Sequence, residues 1–293
     1  MRVKLFLDSG AFSAFKTEAE VNLLDYISFI KRNEQYIEHY AALDVIGDAA
    51  ATLRNQQIME AAGLSPVPTF HRGEDFSYLK LYAVNYPLVA LGGTAQSRSA
   101  SGRIRWLDRC FDVLCDADGR PVCKVHGFAI TAVKMMLRYP WYSVDSTRWV
   151  KVSRNGIVLV PYLKADGTAD YHKPIWQLSV SYSSPTMNVR NRNIWTLSKA
   201  EKKFFTNYFE SRGISVGLTR RKKVKPSYKL RVNETWIEKG KLVQQSIRDG
   251  ITNSYVYRDR ANLIFFNELV ASINAGPEIR FLKGNRASRL FAK

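Results

Sequence analysis

Along the first half of the chain, short apolar runs alternate with amphipathic stretches, and each apolar run stops at a polar residue or a glycine. Leu5 to Leu7 stops at Asp8, Tyr40 to Leu43 at Asp44, and Val67 to Phe70 at His71. Leu88 to Leu91 stops at Gly92-Gly93, Val122 to Val125 at His126, and Trp141 to Val144 at Asp145. Runs this short and this apolar predict buried strands. The stretches between them predict helices. Leu23, Leu24, Ile27 and Ile30 follow helical spacing, Thr52 to Ala62 is a good helix former stopped by Gly63, and Ile130 to Leu137 is apolar and ended by Pro140. Strands alternating with helices imply parallel pairing, because a parallel crossover needs a connection of this kind.

Polar residues collected at the C-terminal ends of parallel strands are the active-site layout of a β/α barrel. A doubly wound open sheet is the alternative, but the glycine-rich nucleotide turn expected after its first strand is absent. The expected fold class is therefore α/β, a TIM-like (β/α) barrel, incomplete or irregular because only six strand–helix units are countable. The missing strands are irregular, lie beyond residue 150, or are lost. Residues 1–150 are expected to form the catalytic core, and residues 151–293 a basic α+β extension that binds nucleic acid and is a candidate to complete the barrel. In that second half, Gly156 to Leu163 and Ile175 to Tyr182 alternate like strands, with Asp166-Gly167 as a turn. Ser198 is placed to cap a helix over Lys199 to Arg212, with Glu201 three residues on. Arg220 to Lys225 reads as a basic loop, and Trp236 to Arg248 and Arg260 to Ile273 as helices.

Charge changes the picture more than composition does. The 293 residues are 46% hydrophobic, enough for a large core, and carry a formal net charge of +18. Residues 1–150 hold 17 Lys and Arg against 16 Asp and Glu, whereas residues 151–293 hold 27 against 10. A near-neutral body joined to a strongly basic half points to a polyanionic partner, nucleic acid before any other; a solvated basic surface is the plainer alternative. No apolar stretch approaches the roughly 20 residues of a membrane span, so no membrane partner is expected. The chain enters its first strand at once, leaving no room for a signal peptide, and its three cysteines form no even disulfide framework. The expected location is cytoplasmic.

Asp8 and Asp145 are the sharpest candidates for chemistry. They end the first and last recognised strands, which barrel closure would bring together at one mouth. A pair of carboxylates flanking an anomeric carbon serves glycosidic chemistry, one attacking C1′ and the other moving protons on the base. Each Asp could instead cap the helix that follows, with Ser9 or Ser146 beside it. Asp44 can accept from the N1–H and exocyclic amino group of a guanine-like base, or cap the next helix, a job better suited to Asp48. Gly92, Gly93 and Thr94 offer backbone amides at close approach, or form an ordinary tight turn. His71 and His126 are candidates to contact base or phosphate, or are satisfied structural residues. Cys110, Cys115, Cys123 and His126 match no common zinc spacing, so no metal is expected. Arg190 and Arg192, near Trp195, and the segment Arg220, Arg221, Lys222, Lys223 and Lys225, near Tyr228, mix cations with aromatics as phosphate contact and base stacking require.

These residues resemble the tRNA-guanine transglycosylase superfamily over residues 1 to about 150. Asp8-Ser9-Gly10-Ala11-Phe12 is similar to that family's D-S-G-G-F, Leu43-Asp44 to its guanine-reading Asp, Leu91-Gly92-Gly93-Thr94-Ala95 to its glycine-rich base-binding loop, and Tyr142-Ser143-Val144-Asp145-Ser146 to the strand bearing its nucleophile. His71 falls where the family has a base-contacting Gln. The family's zinc cluster and its first two barrel strands have no counterpart. The short body and the basic second half look closest to the phage DpdA-like branch, which the resemblance implies exchanges guanine in DNA for a 7-deazaguanine such as preQ0, protecting phage DNA from restriction. On that reading Asp145 is the nucleophile and Asp8 the general acid/base, while Ser9, Asp44, His71, Gly92, Gly93, Thr94 and His126 form the base site. The partners are double-stranded DNA with its target base flipped out, a free 7-deazaguanine base, and the enzymes that supply it. No cofactor is needed, because one N-glycosidic bond replaces another, and the location is the host cytoplasm if a phage encodes the chain. Exchange on tRNA, or a non-catalytic nucleic-acid-binding role, are the alternatives.

Overall fold

The computed structural model describes residues 5–11, 17, 21–93, 99–130, 132–181 and 193–282. The chain divides into two compact units, one built from Met1–Ser146 with the segment from Glu278 onward, the other from Thr147–Pro277.

The first unit is a mixed α/β body in which strands and helices alternate: β1 (Leu5–Leu7), α1 (Leu23–Asn33), β2 (Ile37–Tyr40), α2 (Ala49–Ala61), β3 (Thr69–His71), α3 (Phe76–Asn85), β4 (Leu88–Gly92), α4 (Ala100–Leu114), β5 (Lys124–Gly127), the single-turn α5 (Val133–Met136) and β6 (Ser143–Val144). Strand β1 pairs in parallel with β2, and β3, β4, β5 and β6 pair in parallel in that order. A parallel bridge from Ala41 to Val67 joins the two ladders. Every strand thus neighbours the next in sequence, without the reversal of a doubly wound sheet. Four strand spacings would put β1 and β5 roughly 19 Å apart in a flat sheet. The rings of Phe6 on β1 and His126 on β5 instead stack at 4.3 Å, and Phe6 also meets Phe128 at 5.6 Å. The sheet therefore curls strongly. Among the described residues no hydrogen-bonded pairing closes it.

Local sequence explains the helices. Asn22 caps α1, Asp48 caps α2 by accepting from Ala51, Asp75 caps α3 and Ser99 caps α4, each side-chain oxygen satisfying backbone N–H groups that the first turn leaves open. Ile27 and Ile30 of α1 and Met59 of α2 bury their side chains with Ala42 and Leu43. The expected helix over Ile130 to Leu137 shrinks to α5, because Ala129 adopts a left-handed backbone, φ 57°, and the chain turns there before helix can form.

Residues Glu278 to Leu282 belong to the first unit rather than to a separate extension. Phe281 donates its N–H to Gly119 at 2.9 Å and packs its ring against Phe111 and Tyr139. Gly119 has φ +78°, and a Cβ there would overlap the Phe281 carbonyl.

The second unit contains α6 (Arg148–Arg154), β7 (Ile157–Val160), the short hairpin β8 (Tyr162–Leu163) and β9 (Ala169–Asp170), β10 (Trp176–Ser179), α7 (Lys199–Glu210), β11 (Leu218–Lys223), β12 (Glu234–Glu238), β13 (Leu242–Arg248) and α8 (Tyr255–Ala275). Val158, Val160, Leu178, Phe205, Phe209 and Ile251 share one buried core. Asn262, fully buried on α8, accepts from Leu159 N at 2.8 Å and donates to Trp149 O at 3.1 Å, which ties α8 to β7 and α6. Ser198 and Glu201 form the capping box expected for α7. Two expectations are corrected. Arg220 to Lys223 lie in strand β11 rather than in a loop, and Trp236 to Arg248 form the antiparallel pair β12–β13 rather than a helix. Gly240, at φ +73°, makes the turn between those strands, where a helix would have had to continue.

Candidate active site

The C-terminal ends of the parallel strands gather carboxylates around one imidazole. His71 ends β3 and is 7% exposed. Its Nε2 lies 3.1 Å from Asp44 Oδ2, its Nδ1 lies 3.5 Å from Glu74 Oε1, and its backbone N–H donates to Glu74 Oε2 at 2.8 Å. Burial pushes this imidazole down, but the hydrogen bonds and charges of Asp44 and Glu74 more than reverse that and raise it to about 9. It is an imidazolium at neutral pH.

Asp44 accepts from Ser9 Oγ at 3.0 Å through its other oxygen. It does not cap α2, since Asp48 holds that position. Asp8, two residues beyond Phe6 on β1, accepts from Gly10 N at 3.3 Å in a local turn. Its carboxylate reaches solvent, yet burial on its protein side raises it above the ordinary range and the Asp44 charge adds to the rise. Asp145 follows β6 directly. Its backbone N–H continues the parallel ladder to Gly127 O at 3.2 Å, and its Oδ1 accepts from Ala129 N at 2.6 Å. Burial raises Asp145 as well, the Ala129 N–H counteracts this, and the charge of Asp8 pushes further upward. The charge of Asp8 therefore reaches Asp145 across the curled sheet. Asp145 does not cap the helix after it: α6 begins without any side-chain cap, and its preceding residue is Thr147.

No protein-family model matches the chain, and no curated protein or solved structure is detectably similar to it. The reading of the site therefore rests on its geometry.

The remaining expected residues fall in different places. Gly92 is buried beside His71, and a Cβ there would come within 2.6 Å of the imidazole. Its missing side chain makes room for the ring. Gly93 takes φ +75° and passes close to the Arg72 backbone. His126 is not at the mouth: it is 2% exposed, stacked on Phe6, and paired through Nδ1 with Ser143 Oγ at 2.8 Å. Burial lowers it to about 4, so it is neutral at pH 7. Thr94, Arg190 and Arg192 lie outside the described residues.

In the second unit, Arg220, Arg221, Lys223 and Lys225 are exposed on or just after β11. Lys222 points the other way and donates to Tyr228 OH at 3.1 Å, which in turn donates to the buried Glu234 at 2.8 Å. That lysine is part of the sheet's own polar network.

Among the described residues, no three His, Cys, Asp or Glu side chains are placed to hold a metal ion. Cys110, Cys115 and Cys123 are buried free thiols, and burial raises Cys123 to about 11. Among the described residues, no helix is long and apolar enough to cross a membrane.

Sequence reasoning missed Glu74, Ala129 and Ser143. Glu74 carried a signal, three residues after His71 in a Gly-containing turn. Ser143 is two residues before Asp145 and so shares its face of the strand. Ala129 carried none, because alanine is not a residue from which a left-handed backbone is expected.

Proposed function

We propose that the first unit is the catalytic body of a base-exchanging transglycosylase that replaces guanine in DNA with a 7-deazaguanine, and that its curled sheet is an incomplete (β/α) barrel. The observation that carries this reading is the Asp8–Asp145 pair: two solvent-reaching carboxylates just beyond the first and last strands of one curled parallel sheet, with the charge of Asp8 acting on Asp145. The alternation of strands with helices and the unreversed strand order support the barrel, whose mouth is where such folds place their chemistry.

In this mechanism the Ala129 N–H fixes one oxygen of Asp145. The other oxygen attacks C1′ of a flipped-out deoxyguanosine as the C1′–N9 bond breaks and Asp8 delivers a proton to the departing guanine. A 7-deazaguanine then enters, Asp8 takes its N9 proton, and N9 displaces the Asp145 carboxylate from C1′ with net retention. Burial raises Asp8 above the ordinary carboxylate range, the direction that favours its proton-holding role in this step. Asp44 has one lone pair on each oxygen left after Ser9 and His71, enough to accept from the N1–H and amino group of the base. His71 Nε2, 3.1 Å from Asp44 Oδ2, holds that carboxylate in position. The exposed cations of β11 and the +18 net charge support a nucleic-acid substrate.

A labelled-guanine exchange assay, with duplex DNA and tRNA side by side, tests the reading. Label should enter DNA. Entry into tRNA alone would overturn the DNA assignment, and tight nucleic-acid binding without entry into either would leave a binding protein.

A further inference from the structure

Next to the carboxylate centre lies a pocket of about 890 Å³, in the range of roughly 300–1,000 Å³ typical of ligand sites. It opens from the same rim, because Arg72 directly follows His71 and Glu74 borders both places. Its walls carry Arg72, Lys80, Arg105 and Arg109, with Phe76 and Trp106 between them. Among the described residues none of these four cations is in an ion pair, although Arg138 and Arg212 elsewhere are paired with Asp108 and Glu268. The two carboxyl residues of the pocket are already committed, Glu74 to His71 and Asp75 to the first turn of α3.

A second observation points to a ligand. Trp106 is 6% exposed, and among the described residues its buried indole N–H has no acceptor. An indole N–H only donates, so an acceptor oxygen is what it lacks. The first turns of α3 and α4 also border the pocket, through Ser77 and Gly102, and helix N-termini favour anions. The carboxylate centre has the opposite character: Asp44 and Glu74 pair with the one imidazolium of His71, and Asp8 and Asp145 add two more carboxylates. A nucleotide's base and sugar can enter such a centre, but its phosphates are repelled from it and need a cationic site within one nucleotide's reach.

We propose that this pocket is a phosphodiester subsite, which holds the nucleic-acid backbone beside the nucleoside that enters the carboxylate centre. The proposal rests on the nucleic-acid reading given above, and the test separates the two. Lys80→Gln/Arg105→Gln removes two exposed cations, and Lys31→Gln/Arg32→Gln, on α1, removes two exposed cations outside the pocket. Binding of a fluorescent DNA oligonucleotide is followed by anisotropy across salt concentrations, and guanine exchange is measured in parallel. The pocket variant should bind about 10-fold more weakly, with a salt slope shallower by about 1.4 to 1.8, whereas the α1 variant should bind like wild type. Exchange should show a raised KM with kcat within about twofold.

An unchanged slope and KM in the pocket variant, with exchange intact, would overturn the subsite and leave the transglycosylase. A lost slope without exchange in any protein would leave the subsite and overturn the transglycosylase. Equal losses in both variants, or no binding by wild type, would overturn the subsite. Binding of dGMP as tight as that of the oligonucleotide would overturn it in favour of a small-anion site.

Discussion

Ala129 donates its backbone N–H to Asp145 Oδ1 at 2.6 Å, and does so from a left-handed backbone with φ 57°. A non-glycine residue held there costs about 1–2 kcal/mol, so the surrounding structure must enforce it. The consequence is that one oxygen of the exposed Asp145 is held by this bond. Ala129→Gly should keep the N–H in place, raise the melting temperature slightly and leave exchange within about threefold, because glycine adopts this conformation freely. Ala129→Val should cost at least about 1–2 kcal/mol and lower kcat strongly, since a β-branched residue resists φ > 0. Thermal melts and exchange rates of both variants check this; equal behaviour of the two would contradict it.

The two buried histidines set opposite limbs of the pH–stability curve. His71 titrates at about 9 in the folded chain against 6.5 unfolded, so its contribution is full below pH 6.5 and is lost as pH rises through 9. His126 titrates at about 4, so stability is full above 6.5 and falls as pH drops toward 4. Each limb amounts to at most about 3 kcal/mol. Urea unfolding at pH 5, 6.5 and 9 should show a maximum near 6.5. His71→Gln should flatten the alkaline limb, and His126→Gln the acid one.

Gly92 and His71 occupy one space between them. Gly92→Ala puts a methyl group 2.6 Å from the imidazole, and the ring must move away from Asp44. Overpacking of this kind typically costs about 1–3 kcal/mol. The variant should lose stability at pH 6.5 more than at pH 9, where the His71–Asp44 pair is already weakened. An equal loss at both pH values would show that the ring had not moved.

On strand β11 two neighbouring lysines should behave differently. Lys223→Gln should shorten the salt slope of DNA binding by about 0.7 to 0.9 with an unchanged melting temperature. Lys222→Gln should lower the melting temperature, because it removes the donor to Tyr228 above the buried Glu234. Titrations and melts on the two proteins distinguish a phosphate contact from a structural one.

The strand grammar of the first unit was legible because each apolar run is short, buried and cut off by a residue that cannot continue it. Asp8, His71 and Asp145 were readable as strand ends for the same reason, and Asp48 and Ser198 as caps; Asp44 was not, because β2 stops at Tyr40 and Asp44 lies beyond the Ala41 bridge rather than at a strand end. His126 was misplaced by one step: it ends an apolar run, yet lies inside strand β5, where Phe6 covers it, and only the curl of the sheet reveals that contact. The basic segment at Arg220 looked like a loop because its cations hide the β period, which depends on pairing with β13. Trp236 to Arg248 looked helical because Trp236, Val243 and Ile247 are compatible with either period, and Gly240 was the overlooked turn signal. The cationic pocket joins residues on α3, α4 and the loop after β3, a juxtaposition that no local pattern encodes.

The most direct measurement of the central claim is covalent trapping, with the protein incubated with guanine-containing duplex DNA, denatured, and read by intact mass and on a denaturing gel. Wild type and Asp8→Asn should give a protein–DNA adduct at the Asp145-bearing peptide, and Asp145→Asn should give none, with exchange reduced by about 10³-fold or more. An adduct that persists in Asp145→Asn, or one mapped to Asp8, would contradict the assignment of Asp145 as the nucleophile.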